Sequence, residues 1–402
     1  MGNKTLKTFT AIFILLLSKT IAFSQHKLTL EEALQMMEEN NPGLQAESYK
    51  MEQAKVSVTG MPDMQKPVVY FESDQSHADI YDRRLRIWGV QYTLQFPTIY
   101  GAYRGMQRQK VEMQQYRFEL RKRTLEKQVT STWYSIVYLQ DLQASYSKMD
   151  SLYNELSVVI SKKRQAGEAT ALESVTMRAK KSETANHLFK IREDMREAHV
   201  QLESLIRAEG PIKLDSGELQ KFTPVTANID NHPLMSYYQG SQKLADKMAN
   251  VERQRRLPDF QLGYFQSFTN NNPNISIYHG FQIGVALPIT MGYQRSRVQA
   301  ANIQTEIIKS EQENVGIQLS QRHSQAESNI RKYEKALSYY ENEGKQLSDE
   351  LIKTAKLSYE HGEIDLIRYI NLLSDALRLR VDYLTNLNQY NQSLIELQFL
   401  TL

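Results

Sequence analysis

The sequence predicts a mainly α-helical chain with a small β part, built from tandem-duplicated long helical hairpins and four β-strands. Three observations support this fold class. One set of proline and glycine positions occurs twice at a fixed spacing, two segments alternate apolar and polar residues, and long stretches are almost free of proline and glycine. The 402-residue chain also contains 23 tyrosines, a residue that suits surfaces that are partly wet and partly apolar.

An internal duplication with an offset of 191 residues organises the chain. The pairs at this offset are Pro42 and Pro233, Pro67 and Pro258, Pro97 and Pro288, Gly101 and Gly292, and Arg104 and Arg295. A later pair, Gly167 and Gly362, has drifted to an offset of 195. Five pairs in one register indicate a true duplication. We therefore expect a first repeat over 25–211 and a second repeat, with the same order of elements, over 212–402.

Two segments, 86–96 and 277–287, alternate apolar and polar residues with the period of two that is typical of strands. Their apolar positions are Trp88, Val90, Tyr92, Leu94 and Phe96, followed in the second segment by Ile277, His279, Phe281, Ile283, Val285 and Leu287. Residues 68–74 and 259–268 alternate less clearly and are the expected partner strands. An asparagine-rich loop over 269–276 is expected between the second pair.

Helices are expected on both sides of each strand pair. The first helix of each repeat should be about 25–30 residues long, beginning near Thr29, which can cap it, and near Pro233, which suits a first helical turn. A long helical stretch over 101–165 follows the first strand pair. Near the C-terminus, Leu377 and Leu384 are one heptad apart, as in a coiled coil. A helix of about 65 residues would run about 95–100 Å, far longer than a globular domain needs.

Residues 1–24 have the three parts of a secretory signal peptide. Lys4 and Lys7 form the basic part, Phe9–Leu17 the apolar part, and Ala22-Phe23-Ser24 a small-x-small cleavage site. A membrane anchor left uncleaved is the alternative, although the apolar run is short for a span. Cleavage removes three lysines and no acidic residue, so the net charge of +3 falls to 0. A neutral mature chain gives no electrostatic reason to expect nucleic-acid binding.

Residue types exclude several kinds of chemistry. The chain has no cysteine, so disulfides, thiolate catalysis, cysteine zinc sites and lipid attachment to an N-terminal cysteine are ruled out. The eight histidines are scattered without the spacing of metal ligands on a helix. No phosphate-binding loop or nucleophile elbow is present. We therefore expect no metal, no cofactor and no enzyme activity.

The predicted strands raise the question of what covers their apolar faces. Four strands cannot close a barrel, for which about eight is the lower limit, and their apolar face cannot stay in water. Trp88, Tyr92, Phe96 and Phe281 are therefore expected to face lipid, with a wet lumen behind them. Three chains would supply twelve strands and leave no free edge. A soluble sheet packed on helices is the alternative.

The order of these motifs resembles that of the TolC family of outer-membrane efflux proteins over nearly all of residues 28–402. Each motif is unspecific alone, but their order and duplication make the set specific. The similar segments are Leu28-Thr29-Leu30-Glu31-Glu32-Ala33-Leu34 with Asn40-Asn41-Pro42 at the opening, the strand-to-helix junctions Pro97 with Gly101 and Pro288 with Gly292, the hairpin ends Arg164-x-x-Gly167 and Tyr359-x-x-Gly362, and the ending Asn391-Gln392-Ser393-Leu394-Ile395-Glu396-Leu397.

The resemblance implies a homotrimer in the outer membrane of a Gram-negative bacterium, with a 12-stranded β-barrel and an α-helical barrel that extends into the periplasm. Such a channel passively conducts metal ions, drugs or other small molecules. It receives them from an inner-membrane pump, such as an RND transporter, through a periplasmic adaptor protein, and it opens by untwisting its helices at the periplasmic end. The alternatives from other classes are a periplasmic coiled-coil adaptor or scaffold and an exported enzyme.

Gly167 and Gly362 interrupt helical patterns, where glycine costs about 1 kcal/mol relative to alanine. A turn that needs a positive φ explains both. The resemblance implies that these hairpin ends contact the adaptor, and the alternative is a turn without a contact. The docking candidates are Arg164, Gly167, Glu168, Tyr359, Gly362 and Glu363.

The resemblance also implies a periplasmic gate after the second hairpin end, with Tyr359, Asp365, Arg368 and Asn371 as candidates. The acidic-ring positions of the family fall on Arg368 and Asn371, and Asp375 lies nearby but outside that register. An acidic ring therefore cannot be transferred to this chain. A ring of Arg368 would favour anions, whereas a solvated helix face is the other interpretation.

Overall fold

The computed structural model describes residues 27–60, 65–74, 85–224, 232–271, 274–288 and 291–401. Over these residues it confirms the predicted fold class, because the chain consists mainly of long helices and contains one four-stranded antiparallel sheet. The predicted signal peptide, 1–24, lies outside the described residues.

The first helical element is divided in two, where a single helix of 25–30 residues was predicted. Helix α1 covers Leu30–Asn40 and α2 covers Pro42–Thr59. The predicted cap is confirmed, because Thr29 accepts a hydrogen bond from Glu32 N–H in a reciprocal capping box. The break falls at Asn41, whose backbone is extended (φ −69°, ψ 116°). A residue before proline is disfavoured in the α conformation, so Pro42 explains the division.

The sheet consists of β1 (Val68–Asp74), β2 (Leu85–Leu94), β3 (Asp259–Asn271) and β4 (Asn274–Ala286), paired antiparallel in chain order. Strand β2 ends two residues before the predicted limit of the segment 86–96.

The predicted loop at 269–276 is wrong in its extent. The ladder between β3 and β4 continues until Asn271 stands opposite Asn274. Asparagine has a low strand propensity, but the antiparallel pairing of β3 with β4 overrides that weak preference.

The long helices begin directly after the strands. In the first repeat α3 covers Thr98–Gln165 and α4 covers Ala171–Ile206. In the second repeat α5 covers Pro233–Gln254. The remaining helical segments are α6 (Met291–Tyr339), a π-helical turn (Tyr340–Gly344), α7 (Lys345–Glu360) and α8 (Leu366–Thr401). None of the helices within the described ranges combines the length and the apolar character needed to cross a bilayer.

The chain divides into two compact units, and each draws on both halves of the sequence. The hairpin unit comprises the described residues up to Asn41 together with Glu126–Phe222 and Arg331–Gln392. The sheet unit comprises the described residues of Pro42–Leu125, Thr223–Ile330 and Ser393–Leu402.

The hairpin unit has an apolar core in which α3 and α8 meet. The Tyr153 hydroxyl lies 2.8 Å from Ser374 Oγ, which gives the buried phenol a hydrogen-bond partner. Fully burying one leucine, isoleucine or methionine side chain of this core stabilises the fold by about 1.5–3 kcal/mol. The core consists of Met149, Tyr153, Leu156, Ile160, Met177, Ala355, Leu366, Tyr369, Ile370 and Leu373.

An irregular segment, 207–224, crosses the helices of the hairpin unit. It leaves α4 at Arg207, which has a left-handed backbone (φ 54°). Its backbone N–H groups then donate to side chains of the helices: Leu219 to Asp141 Oδ2 at 2.8 Å, and Phe222 to Asn391 Oδ1 at 3.1 Å. Because this segment forms neither a helix nor a strand, its backbone N–H groups need other partners, and these side chains supply them.

Candidate functional site

The first hairpin end joins α3 to α4 through a turn that requires glycine. Gly167 has φ +77°, and the next N–H, that of Glu168, donates to Lys163 O at 2.8 Å. This is the left-handed closure that ends many helices. Thr170 then caps α4 through a capping box with Glu173.

The second hairpin end has the same backbone plan between α7 and α8. Gly362 has φ +76°, and Glu363 N–H donates to Ser358 O at 2.8 Å. Asp365, a predicted gate residue, occupies the capping position, where its Oδ1 accepts from Arg368 N–H at 2.7 Å. The positive φ predicted for both glycines is therefore observed.

Side chains differ at equivalent positions of the two ends. In the first hairpin Arg164 Nη1 donates to Ser174 Oγ at 3.0 Å on the exposed surface. In the second, the rings of Tyr359 and Tyr369 stack with centroids 4.9 Å apart and planes 4° from parallel. Tyr369 is 3% exposed, and burial raises the pKa of its phenol above the usual range.

A cation–π contact brings the two hairpin ends together. Lys163 Nζ of the first hairpin lies 5.7 Å from the centroid of the Tyr359 ring of the second. Glu168 and Glu363 remain exposed at the ends of the two turns. The two hairpin ends, which carry the docking candidates predicted from the sequence, are therefore in contact at Lys163 and Tyr359.

A basic groove lies between α3 and α4 beside the first hairpin end. Its volume is about 600 Å³, and its floor includes the buried side chains of Ile160 and Met177. Its lining includes Arg164, Arg178 and Lys181, and none of the described residues that line it is acidic. Of these cations only Arg164 was predicted as a site residue, because Arg178 and Lys181 belong to an ordinary helical pattern.

The predicted gate residues of α8 lie on an exposed stripe. Arg368 and Asn371 are exposed, and Asp375, expected outside their register, shares their face because it follows Arg368 by one heptad. Arg378 and Asp382 continue the stripe, and Arg378 Nη2 lies 3.3 Å from Asp375 Oδ1. The heptad spacing could have identified the whole stripe.

One face of the sheet is apolar and exposed. The predicted lipid-facing residues Trp88, Tyr92 and Phe281 lie on it, and Trp88 and Phe281 are 53% and 82% exposed. Phe96 follows β2 on the same face and stacks on Phe260 with centroids 5.9 Å apart.

Three polar side chains on this apolar face, those of Tyr264, Gln266 and His279, are hydrogen-bonded to one another. His279, which the alternation placed there, has its Nδ1 2.7 Å from the Tyr264 hydroxyl. Gln266 Nε2 donates to the same hydroxyl at 3.1 Å.

The opposite face of the sheet is polar and rich in glycine. The ring of Tyr70 covers Gly89, and the ring of Phe265 covers Gly280, so closely that a Cβ at either glycine would overlap the ring. The two glycines are equivalent in the repeats, since they differ by the 191-residue offset. Aromatic rings laid over glycine stabilise strands that would otherwise lack cross-strand contacts.

The strand-to-helix junctions hold Pro97, Gly101, Pro288 and Gly292. Ile99 N–H donates to the carbonyl of the residue before Pro97 at 3.0 Å, which starts α3. A Cβ at Gly101 or Gly292 would meet no atom within 4 Å, so nothing within the described chain requires glycine there.

Within the described ranges, no group of three or more histidine, aspartate and glutamate side chains is arranged to hold a metal ion.

The fold is similar to those of solved membrane channels. A membrane protein from Pseudomonas aeruginosa superposes with a TM-score of 0.76 at 16% identity, covering 92% of both chains. CusC, whose structures concern transmembrane channel formation, superposes with a TM-score of 0.75 at 13% identity, covering 92% of this chain and 90% of CusC. The CmeC outer membrane channel of Campylobacter jejuni gives 0.74 at 16% identity, covering 92% of this chain and 84% of CmeC.

The sequence itself matches no protein-family model and no curated protein. The chain nevertheless has the fold of outer-membrane channel proteins, with coverage that extends over most of its length and of theirs.

Proposed function

We propose that the protein is an outer-membrane channel of a tripartite efflux or secretion system, located in a Gram-negative outer membrane and extending into the periplasm. The exposed apolar face of the sheet, behind which lies a face of glycine and polar residues, carries this proposal. Such a face is stable only against lipid or another apolar surface. A periplasmic adaptor would leave it unexplained.

The channel is a homotrimer in this proposal. The sheet has β1 and β4 as its outer strands, and three sheets placed edge to edge would pair both edges and supply twelve strands. The mature chain begins after residue 24 and contains the repeats 25–211 and 212–402.

The hairpin ends are the docking surface for a periplasmic adaptor, which connects the channel to an inner-membrane pump such as an RND transporter. Support comes from the exposed Arg164, Glu168 and Glu363 beside two rigid turns, and from the basic groove with its apolar floor. Conduction is passive and involves no enzyme chemistry or cofactor. The cargo is a metal ion, a drug or another small molecule.

Fractionation followed by pore measurement tests the proposal. We expect the mature protein in outer membranes until detergent is added, a mass three times that of the chain cleaved after residue 24, and conductance in planar bilayers. A soluble monomer without conductance would overturn the channel and favour the adaptor alternative.

A gate built from Tyr359, Asp365, Arg368 and Asn371 is supported at two of these residues, Arg368 and Asn371, which lie on the exposed stripe of α8. If the stripe lines the pore, Arg368→Glu should shift the reversal potential toward cation preference, because the charge at the constriction changes sign. Lys190→Glu on the exposed face of α4 is the control. Equal reversal potentials for the two variants would assign the stripe to a solvated surface.

A further inference from the structure

Helix α4 carries a heptad stripe that the described part of its own chain leaves exposed. Its members follow one another at alternating spacings of three and four residues, as on the seam of a coiled coil. This α4 stripe consists of Leu172, Val175, Ala179, Ser182, Asn186, Phe189, Glu193, Arg196 and Val200. The four large apolar members are between 50% and 63% exposed. The stripe is therefore a helix seam without a partner helix.

The equivalent stripe of the second repeat is covered. At the offset of 195 residues the α4 stripe corresponds to positions on α8, four of which are no more than 8% exposed: Ile370, Leu384, Asn388 and Asn391. Helix α3 of the first repeat lies against it, because the Tyr153 hydroxyl is 2.8 Å from Ser374 Oγ, and Ser374 is equivalent to Ala179. In the duplicated fold, a helix of the other repeat thus packs on this seam.

A second exposed stripe follows α7 and continues through the π-helical turn into the end of α6. This α7 stripe consists of Lys335, Tyr339, Glu343, Leu347, Glu350, Thr354 and Leu357. Three successive steps of four residues lead through the π-helical turn, because its wider turn accommodates one residue more. Tyr339, Leu347 and Leu357 are 51%, 45% and 46% exposed.

The two stripes match in height above the hairpin ends. The ends are level within one chain, since Lys163, four residues before Gly167, contacts Tyr359, three residues before Gly362. Helix α4 runs away from its turn and α7 runs toward its own, so heights are counted in residues from the two glycines. The pairs at equal height are Leu172 with Leu357 at five residues, Val175 with Thr354 at eight, Ala179 with Glu350 at twelve, and Ser182 with Leu347 at fifteen.

The stripes are also complementary farther from the hairpin ends. The facing pairs there are Asn186 with Glu343, Phe189 with Tyr339, and Glu193 with Lys335, whose heights differ by no more than one residue. Lys335 and Glu343 are exposed and have no hydrogen-bond or ion-pair partner among the described residues. Pairing the stripes would bring Lys335 to a carboxylate, Glu343 to an amide donor, and two exposed aromatic rings together. Charges at facing positions of two helices select partner and orientation.

We propose that the α4 stripe of one copy packs antiparallel against the α7 stripe of the next copy. Both stripes are exposed in a single chain, so they do not touch within it, and their pairing requires a second copy. Two different surfaces of one chain then meet, which is the kind of contact that closes into a ring. A ring whose axis follows the helices keeps the hairpin ends of all copies level.

This inference rests on the proposed homotrimeric channel and adds the helix faces that join its copies. The basic groove stays outside the contact, because Arg178 and Lys181 lie about 100° around α4 from the stripe. One face of α4 therefore joins the next copy, and its neighbouring face remains open for the adaptor.

Cysteine cross-linking tests the pairing, because the chain has no cysteine of its own. The matched pairs are Val175→Cys with Thr354→Cys, and Ser182→Cys with Leu347→Cys. The mismatched controls exchange the same substitutions, as Val175→Cys with Leu347→Cys and Ser182→Cys with Thr354→Cys. Their heights differ by seven residues, or about 10 Å, whereas a disulfide needs Cα atoms within about 7 Å. All four residues are exposed, so the fold is retained.

The variants are oxidised as detergent-solubilised full-length protein and separated on non-reducing denaturing gels. We expect the matched pairs to give a covalent trimer, in which three disulfides close the ring, and the mismatched pairs to run as monomers. Equal cross-linking of matched and mismatched pairs, or a disulfide within one chain, would overturn the pairing. A conducting trimer without cross-links would also overturn it and leave the α4 stripe to the adaptor. Recovery of the wild-type protein as a soluble, non-conducting monomer would instead overturn the channel.

Discussion

The two hairpin ends share one backbone and differ in what surrounds it. Both turns contain a glycine with a φ of about +77° and close with a backbone hydrogen bond of 2.8 Å from the next N–H to a carbonyl. In both, a capping side chain starts the next helix. At positions 195 residues apart, Arg164 and Ser174 form an exposed hydrogen bond, whereas Tyr359 and Tyr369 form a stack against the core.

The same contrast continues along the helices. The buried Leu373 and Ala376 of α8 are equivalent to Arg178 and Lys181 of α4, which line the open groove. A face that is packed in the second hairpin is therefore open and basic in the first. The backbone motif depends on one glycine and one cap, so the side chains around it can differ. In the second hairpin they pack against the core, and in the first they leave an open basic groove, which is part of the proposed docking surface.

The largest difference between the hairpins should appear on truncating the equivalent pair. Tyr369→Ala should lower the free energy of unfolding by about 3 kcal/mol, because it leaves a cavity in the core. Ser174→Ala should lower it by less than about 1 kcal/mol, because it removes one exposed hydrogen bond. Guanidinium unfolding of the detergent-solubilised protein measures both. Similar losses would mean that Ser174 is buried in the assembled protein.

The shared backbone gives the second prediction. Gly167→Ala and Gly362→Ala should each destabilise the protein by about 1–2 kcal/mol, because a Cβ is disfavoured at a positive φ. A Cβ at either position would meet no atom within 4 Å, so the loss is conformational and should be equal at the two ends.

Gly316→Ala is the control for these glycines. This residue lies within α6 with open space around it, and alanine should stabilise the helix there by about 1 kcal/mol. Losses that differ by more than 1 kcal/mol between Gly167→Ala and Gly362→Ala would contradict equivalent turns.

The features that could be predicted from the sequence are those that depend on residues close together in the chain. Alternation predicted the faces of β2 and β4, and glycine within helical patterns predicted both turns, because pleat and positive φ are properties of a few neighbouring residues. The stacking of Tyr359 on Tyr369 and the groove beside Arg178 depend on which helices meet. No local pattern distinguishes those residues from others on the same helices.

The π-helical turn shows a similar limit. In the second repeat Gly362 follows Arg295 by 67 positions, whereas in the first repeat Gly167 follows Arg104 by 63. This stretch of the second repeat contains the π-helical turn Tyr340–Gly344, where the rings of Tyr340 and Tyr383 stack with centroids 4.1 Å apart. An insertion of this kind rotates the helix faces and can be absorbed by a π-helical turn. The drift in offset was visible in the sequence, but the place where the helix absorbs it was not.

The two repeats also differ just before the helices that begin at Pro42 and Pro233. His232 precedes Pro233 and is equivalent to Asn41, because the two residues are 191 positions apart. His232 Nδ1 accepts from Leu234 N–H at 3.1 Å and caps α5. Burial lowers the pKa of His232, and the charge of Arg123 lowers it further. Its folded pKa is thus below the unfolded value of about 6.5. Stability from this group is present above pH 6.5 and is lost as the pH falls toward the lowered pKa.

Lowering the pH from 7.5 to below the lowered pKa of His232 should therefore reduce the free energy of unfolding by about 1 kcal/mol. The cap is lost because a protonated Nδ1 cannot accept a hydrogen bond. His232→Asn keeps a capping side chain and does not titrate, so it should remove this loss. Unfolding of both proteins at several pH values measures the difference. Identical pH profiles would show that the cap stays intact.

The smallest effect on stability is expected in the groove itself. Arg178→Leu with Lys181→Ala gives the first hairpin the residues that the second has at these positions. Because both side chains are exposed and have no partner within the described part of the chain, the free energy of unfolding should change by no more than about 0.5 kcal/mol. The reciprocal change Leu373→Arg would place a charge in the core and should prevent folding. A destabilisation above 1 kcal/mol by the groove variant would mean that the assembled protein already fills the groove. No change in stability, in contrast, would mean that the groove is open to water and accessible to the proposed adaptor.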